Sequence, residues 1–140
     1  MTKHEQLVVQ IVDVASTIPR SAVFVVTVHH VLHLMLTLNL NVQALHDTLK
    51  FIREQTPRPG AWPGGEDTTL EQADDFAHAL TGLFVANDAS HEEGLHALIA
   101  LLAILYASGV DFKFMKKRLL KGWDDMRLQN TDPKTLNGFS

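Results

Sequence analysis

The 140-residue chain is expected to fold as an all-α protein, a helical bundle of about five helices in one oligomeric domain. Three observations point there. Apolar residues recur at three- and four-residue spacing along most of the chain. Two such stretches follow a Ser/Thr-x-x-Glu capping signature. The prolines and asparagines, and the Gly-rich run 56–65, fall between the stretches rather than within them. A hydrophobic share of 46% against 20% charged residues fits a globular core and argues against disorder.

The elements follow in order. Residues 4–16 read as a helix, with Leu7, Val8, Ile11, Val12 and Ala15 on one face. Ile18-Pro19-Arg20-Ser21 breaks it, and Ser21 is placed to cap the next helix. Residues 22–37 begin rich in Val and Thr, which also suit a strand. Helix is preferred because Leu32, Leu34, Met35 and Leu36 continue the run without alternation. Asn39 and Asn41 mark a turn before a helix over 42–55, with Leu45, Leu49 and Ile52 at helical spacing. Residues 56–65 hold three prolines and three glycines and form a loop around Trp62. Helix resumes near Thr68 or Thr69, where Thr68 and Glu71 have capping-box spacing, and runs to about Ala86. Ser90 and Glu93 repeat that spacing ahead of a helix reaching Ala107. Ser108-Gly109 ends it, a last helix runs from Val110 or Asp111 to about Leu128, and 129–140 read as a mobile tail.

Residues 40–54 and 108–122 share a pattern and a position after an apolar helix. This reflects either an internal duplication or two helical hairpins under the same packing rules.

Composition narrows the function. The net charge of −4 offers no general basic field for nucleic acid. With no cysteine, disulfides, zinc thiolates and thiol nucleophiles are excluded, and the expected compartment is the cytoplasm. The opening Met1-Thr2-Lys3-His4-Glu5 does not read as a signal peptide. Residues 21–40 are long and apolar enough to raise the question of a membrane span. Three histidines and an asparagine in that window favour a buried or subunit-interface helix, so no membrane partner is expected. His29, His30 and His33 form a cluster in which His29 and His33 have metal-binding spacing. No carboxylate lies near them in sequence, and an interface or core role is the expectation.

Two other pieces suggest chemistry. Asp74-Asp75-Phe76-Ala77-His78 and Glu92-Glu93-Gly94-Leu95-His96 each put a carboxylate three residues before a histidine. Such pairs share one helix face. If the two helices were antiparallel neighbours, the pairs would meet as a divalent-metal site. The competing reading is structural: acids near a helix start support its dipole, and Ser90-His91-Glu92-Glu93 sits where capping alone predicts them.

At these residues the chain resembles the MazG-like all-α nucleoside triphosphate pyrophosphohydrolases, including the dCTP-pyrophosphatase-like and dimeric-dUTPase-like branches. That family has E-E-x-x-E on one helix and E-x-x-D on a second. Asp74-Asp75-x-x-His78 and Glu93-x-x-His96 stand in those places. Residues 92–112 are similar to the family's second motif, apolar helix and turn. Lys121, Asp124 and Arg127 loosely match its K-x-x-N-x-x-R ending. Residues 45–54 and Trp62 resemble its first helix and Trp-bearing loop. The similarity covers about 45–127, so 42–128 would be the family-like core and 1–40 an apolar extension or interface. Histidines replace the family's Glu and Asp at 78 and 96.

The resemblance implies hydrolysis of a nucleotide to a monophosphate and pyrophosphate. Asp74, Asp75, His78, Glu93 and His96 would hold a divalent cation, Mg or Mn, with imidazole ligands opening the choice to Fe, Zn or Ni. Glu71 or Glu92 would accept the proton of the attacking water. Lys117, Arg118, Lys121 and Arg127 would reach the phosphates, and Trp62 would stack on the base. Two alternatives stand beside this. One is a non-catalytic helical protein that binds a protein partner on the same scaffold. The other is a carboxylate-histidine metal bundle, for which only Glu93-x-x-His96 supplies a full motif.

Overall fold

A computed structural model describes residues 1–54 and 69–131. The Pro/Gly loop with Trp62 and the tail from 132 onward lie outside the described residues. Six helices are present among those described: α1 (Lys3–Ala15), α2 (Arg20–Thr37), α3 (Val42–Arg53), α4 (Leu70–Ala86), α5 (His91–Ala107) and α6 (Phe112–Thr131). No strand is present among them, and the Val/Thr-rich start of α2 is helical.

Local chemistry sets the helix starts. Thr2 Oγ1 accepts from Glu5 N at 3.1 Å while Glu5 Oε1 accepts from Thr2 N at 3.3 Å, closing a capping box on α1. Ser90 and Glu93 close the expected box on α5. Two expectations are displaced. The box on α4 uses Thr69 and Gln72, one residue beyond the Thr68 and Glu71 pair. At α2 the N-cap position is Pro19 with no side-chain cap, and Ser21 sits inside the first turn. The proline's fixed φ and its carbonyl, which accepts from Ala22 N and Val23 N, start that helix instead.

The turns after α2 and α5 have the same hydrogen bonds. Leu40 N donates to Met35 O at 2.9 Å and Asn39 N to Leu36 O at 3.0 Å. Val110 N donates to Leu105 O and Gly109 N to Tyr106 O, both at 3.1 Å. Each is a Schellman closure around a left-handed residue, Asn39 at φ 58° and Gly109 at φ 117°. Each is followed by a side-chain oxygen that caps the next helix. Asn41 Oδ1 accepts from Gln43 N at 3.0 Å, and Asp111 Oδ2 from Phe114 N at 3.0 Å.

Packing carries this correspondence through the fold. α2 packs on α4, α5 and α6, and α5 packs on α1, α2 and α3. α1 also packs on α4, and α3 on α6. Exchanging α1 with α4, α2 with α5 and α3 with α6 leaves this pattern unchanged. Every extensively packed pair joins one of the first three helices to one of the last three. Two three-helix halves thus interlock about the α2–α5 contact, with residues 40–54 and 108–122 at corresponding places in them.

That contact is the core. Thr27, Val31, Leu32 and Met35 of α2 are buried, as are Ala97, Leu98, Leu101, Leu102 and Leu105 of α5. Thr27 satisfies its hydroxyl on Val23 O at 2.6 Å. Leu7 and Ile11 of α1, Leu45 and Leu49 of α3, Phe76 and Leu80 of α4, and Met115 and Leu119 of α6 are buried around it. Gly122 of α6 lets the backbone approach α2: a Cβ there would lie 2.5 Å from Leu32 Cδ1. α2 is the one described helix long and apolar enough to cross a membrane, and half of it is buried within the protein.

Candidate functional site

The described residues expected to form the nucleotide site sit on three helices, and Trp62 lies outside the described residues. Glu71, Asp74, Asp75 and His78 are all exposed on α4, whose inward face is Phe76 and Leu80. No ion pair joins His78 to either aspartate among the described residues. On α5, Glu92 and His96 are exposed and Glu93 is partly covered. Lys117, Lys121 and Arg127 are exposed on α6, and Lys121 lies 3.7 Å from Asp125.

α4 and α5 are consecutive, but they do not pack extensively on each other. α1 and α2 each contact both. α6 packs on α2 and α3, with no extensive contact to α4 or α5. The carboxylates of α4, those of α5 and the cations of α6 thus occupy helices with no extensive packing between any two. Among the described residues no three His, Asp or Glu side chains are grouped closely enough to hold a metal ion. The donor types suit a divalent cation; Asp74, Asp75 and His78 stand on α4, and Glu93 and His96 on α5.

Glu93 has a definite structural role. Its Oε1 accepts from Ser90 N at 2.9 Å and from Lys3 Nζ at 3.2 Å. Lys3 Nζ also donates to Asp88 O at 3.0 Å, fastening the start of α1 to the turn between α4 and α5. The Ser90 amide, then the Lys3 ammonium, hold the Glu93 carboxyl below its ordinary pKa against an opposing effect of desolvation. A depressed carboxylate pKa stabilises the fold above the group's unfolded pKa, and that stabilisation is lost as pH falls through the folded value. Lys3→Ala is therefore expected to raise the Glu93 pKa towards its ordinary value, read by an NMR titration of its side-chain carboxyl carbon. An unchanged pKa would show that the lysine contact does not persist in solution.

Glu93 and His96 do line a shallow groove of about 380 Å³ with His4, Phe51 and Ala100, between α1, α3 and α5. His4 and Phe51 join them only through the tertiary fold, so no spacing in the sequence announces them.

A second depression, of about 280 Å³, lies where the start of α2 meets the α5–α6 turn. Its apolar wall is Phe24, Val25, Val110 and Phe114, with Arg20 and Asp111 at the edge. Phe24 and Phe114 rings lie 5.5 Å apart. Val25 and Phe114 remain about half exposed, at 47% and 51%. From Phe114, positions i+3, i+4 and i+7 are Lys117, Arg118 and Lys121, all exposed and on the same helix face. Five of the chain's 12 Lys and Arg residues fall between 113 and 121, in a protein of net charge −4. The cations were singled out from sequence; the aromatic anchor at their head was missed, although its helical spacing from them carried the signal.

Comparison with protein-family models, with curated proteins and with solved structures finds no match to this chain.

Proposed function

We propose that this chain is a non-catalytic helical binding protein that takes an acidic amphipathic segment of another protein along α6. The observation that carries the reading is the continuous face of α6: Phe114 beside an apolar depression, then Lys117, Arg118 and Lys121 in line. An apolar side chain of the partner enters beside Phe24, Val25 and Val110. Carboxylates one and two turns further along meet the cations. Lys117 and Arg118 make no ion pair among the described residues, so they are available for such contacts. Charge complementarity of this kind steers encounter and fixes register.

The test uses a designed helical peptide with one Leu or Phe followed by Glu at i+3, i+4 and i+7. Binding is expected to weaken with added salt. Lys117→Glu/Lys121→Glu is expected to weaken it by about tenfold or more. Phe114→Ala should also weaken it, while retaining more of the salt dependence. A single-stranded oligonucleotide that outcompetes the peptide would overturn the reading.

One observation favours a second reading, the nucleotide pyrophosphohydrolase: Glu93 and His96 share a groove with His4. Product analysis with NTPs and dNTPs, in magnesium and separately in manganese, tests it. Monophosphate and pyrophosphate release that Glu93→Gln abolishes would establish that reading. The absence of turnover from folded protein would remove it for those substrates.

A further inference from the structure

α2 is the most central helix of the first half, yet it keeps one open ridge. Ser21, Val25, His29, His33 and Thr37 are all exposed, each four residues from the last, while the residues between them are mostly buried. Position i+4 lies directly above position i on a helix face. Two imidazoles stand on this ridge. The rings of His29 and His33 are stacked parallel, 7° apart in plane, with centroids 6.5 Å apart. The third histidine is arranged differently. His30 is half-buried, and its Nδ1 donates to Val26 O at 2.9 Å, which holds its ring against its own helix.

We propose that His29 and His33 form a two-imidazole clamp for a divalent transition-metal ion of the zinc, nickel or copper class. Imidazole nitrogen is the favoured protein ligand for these metals. Two histidines at i and i+4 on one helix face are the ligand spacing used on zinc-binding helices. To share one ion, both exposed side chains turn from this parallel arrangement into rotamers that bring one nitrogen of each ring to it. No third His, Asp or Glu of the described residues is grouped with them, so the remaining coordination positions belong to water or an incoming ligand. Metal binding needs neutral imidazole. Burial of His29, and after it the neighbouring His30 and His33, push its pKa below the ordinary value. The ridge lies on α2 and uses none of the α6 cations, so this inference stands or falls apart from the peptide reading.

The test is calorimetric titration of the 140-residue protein with zinc chloride alone, paired with NMR of the histidine ring nitrogens. Zinc is expected to bind, to move the ring signals of His29 and His33, and to raise the melting temperature, because the clamp exists only in the folded state. Removing a ligand costs at least the roughly tenfold in affinity that removing a ligand's supporting partner does, so His29→Gln and His33→Gln should each weaken binding that much or more. His46→Gln, an exposed histidine on α3, should leave it unchanged. His29, His33 and His46 are all exposed, and unchanged helical circular dichroism of each variant confirms the fold. The inference is overturned if zinc does not bind, or if His96→Gln weakens binding while His29→Gln and His33→Gln do not. That second result would move the ion to the groove lined by His4, Glu93 and His96.

Discussion

Cut once between Glu54 and Thr69, the chain is expected to remain one folded molecule, and neither half alone is expected to fold. α1, α2 and α3 pack extensively only on α4, α5 and α6. Separated, each half would be three helices without partners for their apolar faces. Isolated helices shorter than about 12–15 residues are marginal in water, and most helical stability in proteins comes from tertiary packing. The experiment places a specific protease site within residues 55–68 and cleaves the folded protein. The cleaved sample should elute as one species and keep its helical circular dichroism. Its stability should become concentration-dependent, since folding is now also association. Residues 1–54 and 69–140 prepared separately should show little helix and regain it on mixing. A half that is stably helical alone would contradict the interlocked arrangement, as would halves that separate without denaturant.

The second large effect concerns Phe76. It is fully buried on α4, which packs on both α1 and α2, so its ring serves the contact between the two halves. Phe76→Ala is expected to cost about 3–5 kcal/mol, the usual range for an aromatic truncation in a packed core. That is a large part of the roughly 5–15 kcal/mol that holds a typical domain together. Asp75→Asn, one residue earlier on the exposed face, should change stability by no more than about 0.5 kcal/mol. Urea denaturation followed by circular dichroism reads both. A lower midpoint with an unchanged slope for Phe76→Ala fits the packing described. A small loss would mean that the ring does not fill the position between α1 and α2.

The helices were legible because each of their signals is local. Leu45, Leu49 and Ile52 are periodic in sequence and buried in the fold. The Ser90 and Glu93 box forms as its spacing predicts. Where two local patterns overlap, spacing does not choose: Thr68 with Glu71 and Thr69 with Gln72 both obey the rule, and the box forms on the second. The central place of α2 was harder to see. Its apolar residues face α4, α5 and α6 together, so they leave no single stripe to read.

The candidate site was less legible for a different reason. Spacing places Asp75 with His78, and Glu93 with His96, on shared helix faces, but it does not state which helices become neighbours. Consecutive helices are the natural guess. Here the interlocked halves put α1 and α2 against both α4 and α5 instead. The double use of Glu93 was half visible. Its cap on Ser90 follows from local spacing, whereas Lys3 reaches it from the far end of the sequence.

The most direct test of the proposed binding face is a map of backbone amide shifts in the labelled protein as the acidic helical peptide is added. The account predicts saturable shifts confined to Val25, Val110, Phe114, Lys117, Arg118, Lys121 and their immediate neighbours. Shifts centred on Asp74, Asp75 and His78 of α4, or no saturable shifts from folded protein, would contradict it.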